Sequence, residues 1–504
     1  MSLTQLTTRA QEGIQAPEIS VEVHISNGLP AFTMVGLPEA AVRESRDRVR
    51  SAIINSGFEF PSRRITVNLA PADLPKEGGR YDLAIAVGIL AASQQIQTQS
   101  LQNYDFYGEL ALSGECRQIR GLLPALIASK NAGQKIIIPT GNETEAAMIS
   151  DIRAFKIESL SQLCTAINGG KALNRVKPDP FDQTLDFDID LSEVYGQHQA
   201  KRALEIAASG GHHLLMMGPP GTGKSMLAHR MTTILPHMSE QEAITSASIR
   251  SISNQQNIDY RTWRQRPFQS PHHTVSAVAL VGGGSNPKPG EISLAHHGVL
   301  FLDELTEFDR YAIETLREPL ETGKIHISRA SRQIEYPAQF QLVAAMNPCP
   351  GGCESINHCQ CSAAQLNRYK NKLSVPFLDR IDIQIELPRL DKNQLLQQKN
   401  EHHQSSREVG LRVEQCRELQ LKRQGGLNVD LGNRQIENFC KIDSKTEQLL
   451  ITSIDKLRLS ARSYHKLLRL ARTIADMAQV EQIKSDHIAE AIGYRHQDRQ
   501  QVGC

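Results

Sequence analysis

Neither sign of charge is in excess: the 504-residue chain carries 56 Lys plus Arg against 55 Asp plus Glu, a formal charge of +1. That excludes a histone-like polycation, so any contact with nucleic acid has to come from basic residues concentrated in particular places. Long apolar runs are missing too. No stretch approaches the roughly 18 residues needed to cross a bilayer, and the opening MSLTQLTTRAQEG lacks the hydrophobic segment of a signal peptide. The expectation is a cytoplasmic protein with no membrane partner. Nine cysteines are too few for a disulfide scaffold, and Cys116, Cys164, Cys416, Cys440 and Cys504 stand alone and read as inert. What remains, 22% charged and 40% hydrophobic residues, is ordinary globular composition, at a length of about three domains of roughly 150 residues each.

Residues 1–170 read as alternating strands and helices. Ile19, Val21, Val23 and Ile25 alternate with polar neighbours as a half-buried strand does, and Ile65, Val67 and Leu69 repeat the pattern. Between them, Glu39 to Ile54 has helical spacing; its arginines Arg43, Arg46, Arg48 and Arg50 suit either a polyanion or a solvated helix face. Residues 171–190, which end in KPDPFDQTLDFDID, are poor in aliphatics and read as an acidic linker. In residues 191–390 the runs LLMM, VLFL and QLVAAM are each followed by turn residues and helical segments, the order of an α/β domain with a mainly parallel sheet. In residues 391–504 strand signals disappear, and a helical domain is expected, broken at Gly425 and Gly426.

Gly218, Pro219, Pro220, Gly221, Thr222, Gly223, Lys224 and Ser225 spell GPPGTGKS between an apolar run and a helix-forming segment, the context a phosphate-binding loop requires. Glycines there let backbone N–H groups wrap phosphates, Lys224 reaches the β and γ oxygens, and Ser225 offers a hydroxyl to Mg²⁺. VLFLDE, Val299 to Glu304, is a buried strand ending in two carboxylates: Asp303 is placed to hold Mg²⁺, and Glu304 to polarise the water that attacks the γ-phosphate. A third strand, Gln341 to Met346, ends in Asn347, whose amide suits orienting that water from a position between the other two strands, or simply forming a turn.

Thr322 to Pro337 reads as two short alternating strands around a turn from Arg329 to Arg332. Lys324, Arg329 and Arg332 make it locally basic, which suits phosphate contacts or an edge hairpin protected from aggregation. Gly282, Gly283 and Gly284 follow an apolar run and read as a mobile loop able to approach phosphate, or as a flexible turn. His272 and His273 precede it; on a strand they would point to opposite faces, and a structural role is expected. Cys349, Cys353, Cys359 and Cys361 suit a tetrahedral structural Zn²⁺, with His358 a possible substitute ligand, against free or redox-active thiols.

GPPGTGKS, RPFQSPHHTVSAVALVGGGSNPKPGEISLAHHGVLFLDEL, LVAAMNPCP, PFLDRIDI and SARSYHKLLRLARTIADM together resemble the magnesium-chelatase-like branch of the AAA+ ATPases and, within it, the ComM/YifB competence family, over essentially the whole chain. The resemblance implies an AAA+ core under a helical lid, with ATP and Mg²⁺ as cofactors. It implies a homohexameric ring in which an arginine from the next subunit reaches the nucleotide. Arg380 in PFLDRIDI matches that finger, and Arg462 in SARSYHK the second sensor, with Arg469 a weaker match.

The implied activity is ATP-driven movement on single-stranded and branched DNA, as in branch migration of recombination intermediates during natural transformation. The hairpin and the glycine loop would then face the pore. The family more often has Cys-Pro-Cys-Gly where this chain has Cys349-Pro-Gly-Gly-Cys353. The front segment LPKEGGRYDLAIA to GLLPAL resembles the Lon peptidase domain, with Arg80 in the place of the serine nucleophile and Ala125 at or near the lysine, so peptidase activity is expected to be absent. A magnesium-chelatase subunit and an ATP-switched scaffold are the alternatives.

Overall fold

The computed structural model describes residues 2–36, 40–74, 76, 78–99, 101–178, 187–253, 262–284, 287–329, 332–353, 359–389, 403–457 and 460–495. The chain forms two compact units, Met1–Gln183 with Ile244–Trp263, and Thr184–Ala243 with Arg264–Cys504.

The first unit is built on an eight-stranded mixed sheet in the order Asn174–Arg175, Ala154–Ile157, Lys135–Pro139, Tyr104–Phe106, Ser2–Arg9, Glu18–Ser26, Arg64–Ala70, Ala31–Val35. The alternation in the sequence becomes cross-strand pairing on one face: Val21 lies opposite Leu69, Val23 opposite Val67 and Ile25 opposite Ile65, all buried. The helix Asp82–Ala92 is buried along its whole length and packs on the first two strands of the chain. In the helix Ala40–Asn55, Arg48 Nε lies 2.9 Å from Asp82 Oδ2 and Arg50 lies over the Phe60 ring, while Arg43 and Arg46 are exposed.

Two boundaries differ from the compositional reading. Asn174 and Arg175 pair with Ala154–Ile157, so the front sheet continues past residue 170. Ile244–Trp263 groups with the first unit although it lies within residues 191–390, because Ile252 is buried there; a Cβ on Gly121 would meet it at 3.3 Å. Of the acidic linker, residues 179–186 lie outside the described residues.

The second unit holds a five-stranded, wholly parallel sheet in the order Phe268–Gln269, Val299–Leu302, Gln341–Met346, Leu214–Met217, Ile383–Glu386. The three apolar runs singled out in the sequence are buried at every position, as strands covered on both faces must be. Helices Ser406–Gln424, Asn433–Phe439, Ser444–Leu457, Ala461–Met477 and Ser485–Gly493 follow, the first ending where Gly425 takes φ 76°. Sheet and helices share one core: Leu214, Phe301 and Val343 belong to the same buried cluster as Val413, Leu470 and Ile474. Mixed α/β architecture with a parallel sheet and a helical C-terminal region is thus the observed fold class.

His296, at the turn before Val299, is 3% exposed, and its Nδ1 accepts from the Gln339 amide at 3.0 Å. Burial, helped by neighbouring His297, lowers its pKa to about 3. A base depressed in this way stabilises the fold above its ordinary pKa of 6.5, and the contribution drains away as pH falls below that value, by up to about 1.4 kcal/mol per pH unit. Thermal unfolding is therefore expected at lower temperature at pH 5 than at pH 7.5. His296→Asn, which keeps an acceptor but cannot take up the proton, should shrink that difference; an unchanged pH dependence would refute the assignment.

Candidate nucleotide site

Three parallel strands deliver their C-terminal ends to one edge, where ligands of open α/β sheets gather. Leu214–Met217 leads through Gly218–Gly223 into the helix Lys224–Ile234. Gly221 and Gly223 have φ of 82° and 88°, and a Cβ on either would meet nothing within 4 Å. They are glycines for backbone freedom, and the cradle they form is open. Gly218 is different: a Cβ there would stand 2.6 Å from the Leu387 carbonyl.

Lys224 folds back over this loop, donating to the carbonyls of Gly218 at 2.6 Å and Pro219 at 3.0 Å, and to Asn347 Oδ1 at 3.2 Å. Burial lowers its pKa, against the pull of Asp303 and Glu304. Ser225 Oγ donates to Asp303 Oδ2 at 2.6 Å, while Asp303 Oδ1 accepts from the Glu304 amide at 2.9 Å. Gln341–Met346 lies between the acidic strand and the phosphate-loop strand, so Asn347 stands between the two. Lys224, Ser225, Asp303, Glu304 and Asn347 therefore form one cluster. Its hydroxyl–carboxylate pair and open cradle fit Mg²⁺ and a polyphosphate.

Glu304 has φ 51°, ψ 46°, left-handed backbone that costs a residue with a side chain about 1–2 kcal/mol. Its carboxylate lies 3.3 Å from His273 Nδ1. The expectation that His272 and His273 face opposite ways is corrected here. The edge strand stops at Gln269 before Pro271, which has no N–H for a ladder, and the two rings stack 4.1 Å apart in a turn. His273 thus reaches Glu304, a partnership with no sign in the sequence.

Arg380 and Arg462 are not in this cluster. Arg380 precedes the strand Ile383–Glu386 and lines, with Arg462, Arg469, His213 and Gly298, a cleft of about 1090 Å³. His213 and Gly298 mark the N-terminal ends of their strands, the end of the sheet opposite Lys224. Arg380 Nη2 lies 2.8 Å from Glu321 Oε1, and Arg462 donates to the same oxygen.

The cysteine cluster touches the phosphate loop. Thiol sulfurs of Cys349, Cys353, Cys359 and Cys361 all lie within 4.8 Å of one another, a separation that suits one tetrahedral ion. Tyr369 Oη donates to the Asn347 carbonyl at 2.9 Å just before the cluster, and a Cβ on Gly352 would stand 3.1 Å from the Pro220 ring. His358 lies outside the described residues, as does Cys504. Burial pushes the thiols of Cys116 and Cys164 up to about 12 and those of Cys416 and Cys440 up to about 11, so none of the four is a thiolate near neutrality.

The hairpin forms as expected, with Lys324–Arg329 antiparallel to Arg332–Pro337 and Arg329 opposite Arg332 at the turn. Lys324, however, sits at its base and is paired with Glu335 at 2.8 Å, because the strand begins there, one residue after Gly323. Gly282 and Gly283 are not a free loop. They pair with Pro289 and Lys288, and a Cβ on Gly282 would come within 2.3 Å of the Lys288 carbonyl and 3.0 Å of Ile327 in the hairpin. Tyr336 adds a bond to the Pro287 carbonyl at 2.8 Å, so glycine segment and hairpin are one packed piece.

Family profiles for magnesium chelatase, subunit ChlI, match residues 190–395, 21–142 and, for its C-terminal part, 403–495. YifB of Escherichia coli (strain K12) is 51% identical over 500 residues, covering 99% of this chain and 98% of its own. Competence protein ComM of Haemophilus influenzae is 48% identical over 499 residues, covering 98% of each. The chain belongs to the ComM/YifB family. The magnesium-chelatase 38 kDa subunit of Cereibacter sphaeroides is more distant, 27% identical over 188 residues, 34% of this chain and 53% of that protein. Membership of ComM/YifB, a magnesium-chelatase-like AAA+ group, implies ATPase activity with ATP and Mg²⁺. Among the described residues no helix is long and apolar enough to cross a membrane.

Gly352, at φ 62°, lies close enough to the phosphate loop that an added Cβ would crowd the Pro220 ring. Gly352→Ala should push Pro220 aside and weaken ATP binding by roughly threefold to tenfold, the equivalent of about 1 kcal/mol of loop displacement. Titration with a fluorescent ATP analogue checks this; unchanged affinity in a folded variant would refute the coupling.

Proposed function

We propose that the chain is the subunit of a homohexameric, ATP-driven DNA motor that moves branch points in recombination intermediates. The observation that carries this reading is the division of its catalytic groups. Lys224, Ser225, Asp303, Glu304 and Asn347 gather at one end of the sheet, while Arg380 and Arg462 gather at the other. One subunit then holds only part of what phosphoryl transfer needs, and a ring that sets the arginine end of one copy against the phosphate loop of the next completes it. The kinship with a protein named for competence supports DNA as the substrate.

In this reading the amides of Gly218 to Gly223 and Lys224 cradle the phosphates, and Ser225 and Asp303 hold Mg²⁺. The bound ion screens the charge that develops on the transferring phosphoryl group. Glu304 polarises the attacking water, held in place by His273, and Asn347 orients that water. Arg380 and Arg462 serve the neighbour's nucleotide as finger and second sensor. The hairpin Lys324–Arg329 with Arg332–Pro337, braced by Gly282 to Gly284, grips single-stranded and branched DNA through its backbone, with little base readout. Cys349, Cys353, Cys359 and Cys361 bind a structural Zn²⁺ that fixes the loop against Pro220. The first unit, with Arg80 and Ala125 at the positions of a peptidase dyad, acts as an assembly or DNA-facing platform.

Single-stranded DNA is expected to stimulate ATP hydrolysis, and a three-stranded junction to be resolved in the presence of ATP. Arg380→Ala should lose at least about 10³-fold in turnover, the low end for an arginine finger, while still binding ATP. Mixing Arg380→Ala with Lys224→Ala subunits should recover a fraction of activity, because intact half-sites from the two mutants meet at some interfaces. No recovery in verified mixed rings, or full turnover in Arg380→Ala alone, would overturn the split site. Metal analysis of purified protein should find one zinc per chain, lost in a Cys353→Ser, Cys361→Ser double variant.

A further inference from the structure

Glu321 is a charged group in the arginine cleft that the proposed hydrolysis leaves without a task. It lies in the short helix Arg317–Thr322, which passes through Gly323 at φ 67° directly into the hairpin strand Lys324–Arg329. Its Oε1 takes both arginines at once: Arg380 Nη2 at 2.8 Å, from the turn before the edge strand, and Arg462, from the lid helix Ala461–Met477. Three residues earlier in the same helix, Glu318 Oε1 lies 2.9 Å from His326 Nδ1, and His326 Nε2 lies 3.0 Å from Glu335 on the opposite strand of the hairpin. One helix is thus fastened to the hairpin through Glu318 and to the two arginines through Glu321.

Two guanidiniums sharing a single carboxylate oxygen are over-supplied with charge and with donors, five N–H per arginine. Arg380 Nε is buried without a hydrogen-bond acceptor among the described residues. An anion with more oxygens and more charge than a carboxylate satisfies such a pair better, and a terminal phosphate is that anion. Glu321 is 41% and Arg462 49% exposed, so that ion pair is of the kind that contributes little net stability and is readily exchanged, while Arg380, 9% exposed, holds the same oxygen from a more buried position.

We propose that Glu321 is a positioning residue that parks Arg380 and Arg462 in the resting subunit and releases them to the neighbour's nucleotide when DNA displaces the hairpin. DNA engagement and hydrolysis are then coupled through the helix Arg317–Thr322. This rests on the reading given above, in which those arginines act in trans and the hairpin meets DNA.

The test uses the full-length protein, with ATP hydrolysis measured with and without single-stranded DNA for the wild type, Glu321→Gln, Arg380→Ala and Arg462→Ala, and DNA affinity measured by anisotropy. Glu321→Gln is expected to raise DNA-free turnover at least about fivefold, the low end of usual coupling between sites, so that the stimulation ratio falls toward one while DNA affinity stays unchanged. A merely structural role would lower turnover in both conditions and leave the ratio alone. That outcome, or a wild-type ratio in Glu321→Gln, overturns the proposal. Should the arginine variants be inactive while Glu321→Gln behaves as wild type, the trans reading survives and only the coupling falls. Full turnover in Arg380→Ala and Arg462→Ala, or a wild type indifferent to DNA, would overturn the reading beneath it as well.

Discussion

Everything at the arginine end of the sheet depends on one buried carboxylate. Asp382 is 6% exposed and lies 3.0 Å from Lys466 Nζ and 3.7 Å from His212 Nδ1, while accepting from the His213 amide at 3.2 Å. Burial alone would raise its pKa, but Lys466 and His212 outweigh that and hold it well below the usual carboxylate range. It joins three elements: the edge strand, the entry to the phosphate-loop strand and the lid helix. Breaking such a pair by removing one partner leaves a buried charge and costs about 3–5 kcal/mol. Arg380 is two residues before Asp382, and Arg462 is one helical turn before Lys466, so the ion pair that ties lid to sheet also brings the two arginines together.

The lid is bonded to the core by polar contacts as well as by the shared apolar cluster. Arg417 donates to the Ala208 carbonyl at 2.8 Å, Gln420 to the Ser209 carbonyl at 3.0 Å, and Arg412 pairs with Glu205 at 2.6 Å, all on the helix His198–Gly210 that flanks the sheet. Together with the shared apolar core, these bonds join core and lid, with the phosphate loop at one end of the sheet and the arginines at the other.

What could be read from the sequence was whatever is local. The alternation of Ile19, Val21, Val23 and Ile25 and the buried runs before Gly218 and Asp303 rest on periodicities of a few residues, and the structure realises them as strands. The phosphate loop was legible for the same reason, since its residues are consecutive. Partnerships across the chain were not. Glu321 meets arginines at positions 380 and 462, and His273 meets Glu304 through a turn that only Pro271 hints at. Gly282 was misread as mobile because the carbonyl of Lys288 and the methyl of Ile327 that demand its missing Cβ come from other strands. Ile244–Trp263 joins the first unit by packing, a property no local pattern records.

The hairpin's base has a consequence for how ionic strength acts on it. Lys324 is bound to Glu335, and His326 is shared between Glu318 and Glu335, which raise its pKa. A polyanion arriving there does not meet bare cations; it takes a lysine away from a carboxylate that must then be rehydrated. Such an encounter is an exchange of partners, and releases fewer small ions than a count of basic residues implies. On the proposed reading, affinity for a polyanion at this base would be buffered against salt, and the steep salt sensitivity of a polyelectrolyte contact would be confined to whichever cations enter the encounter unpaired.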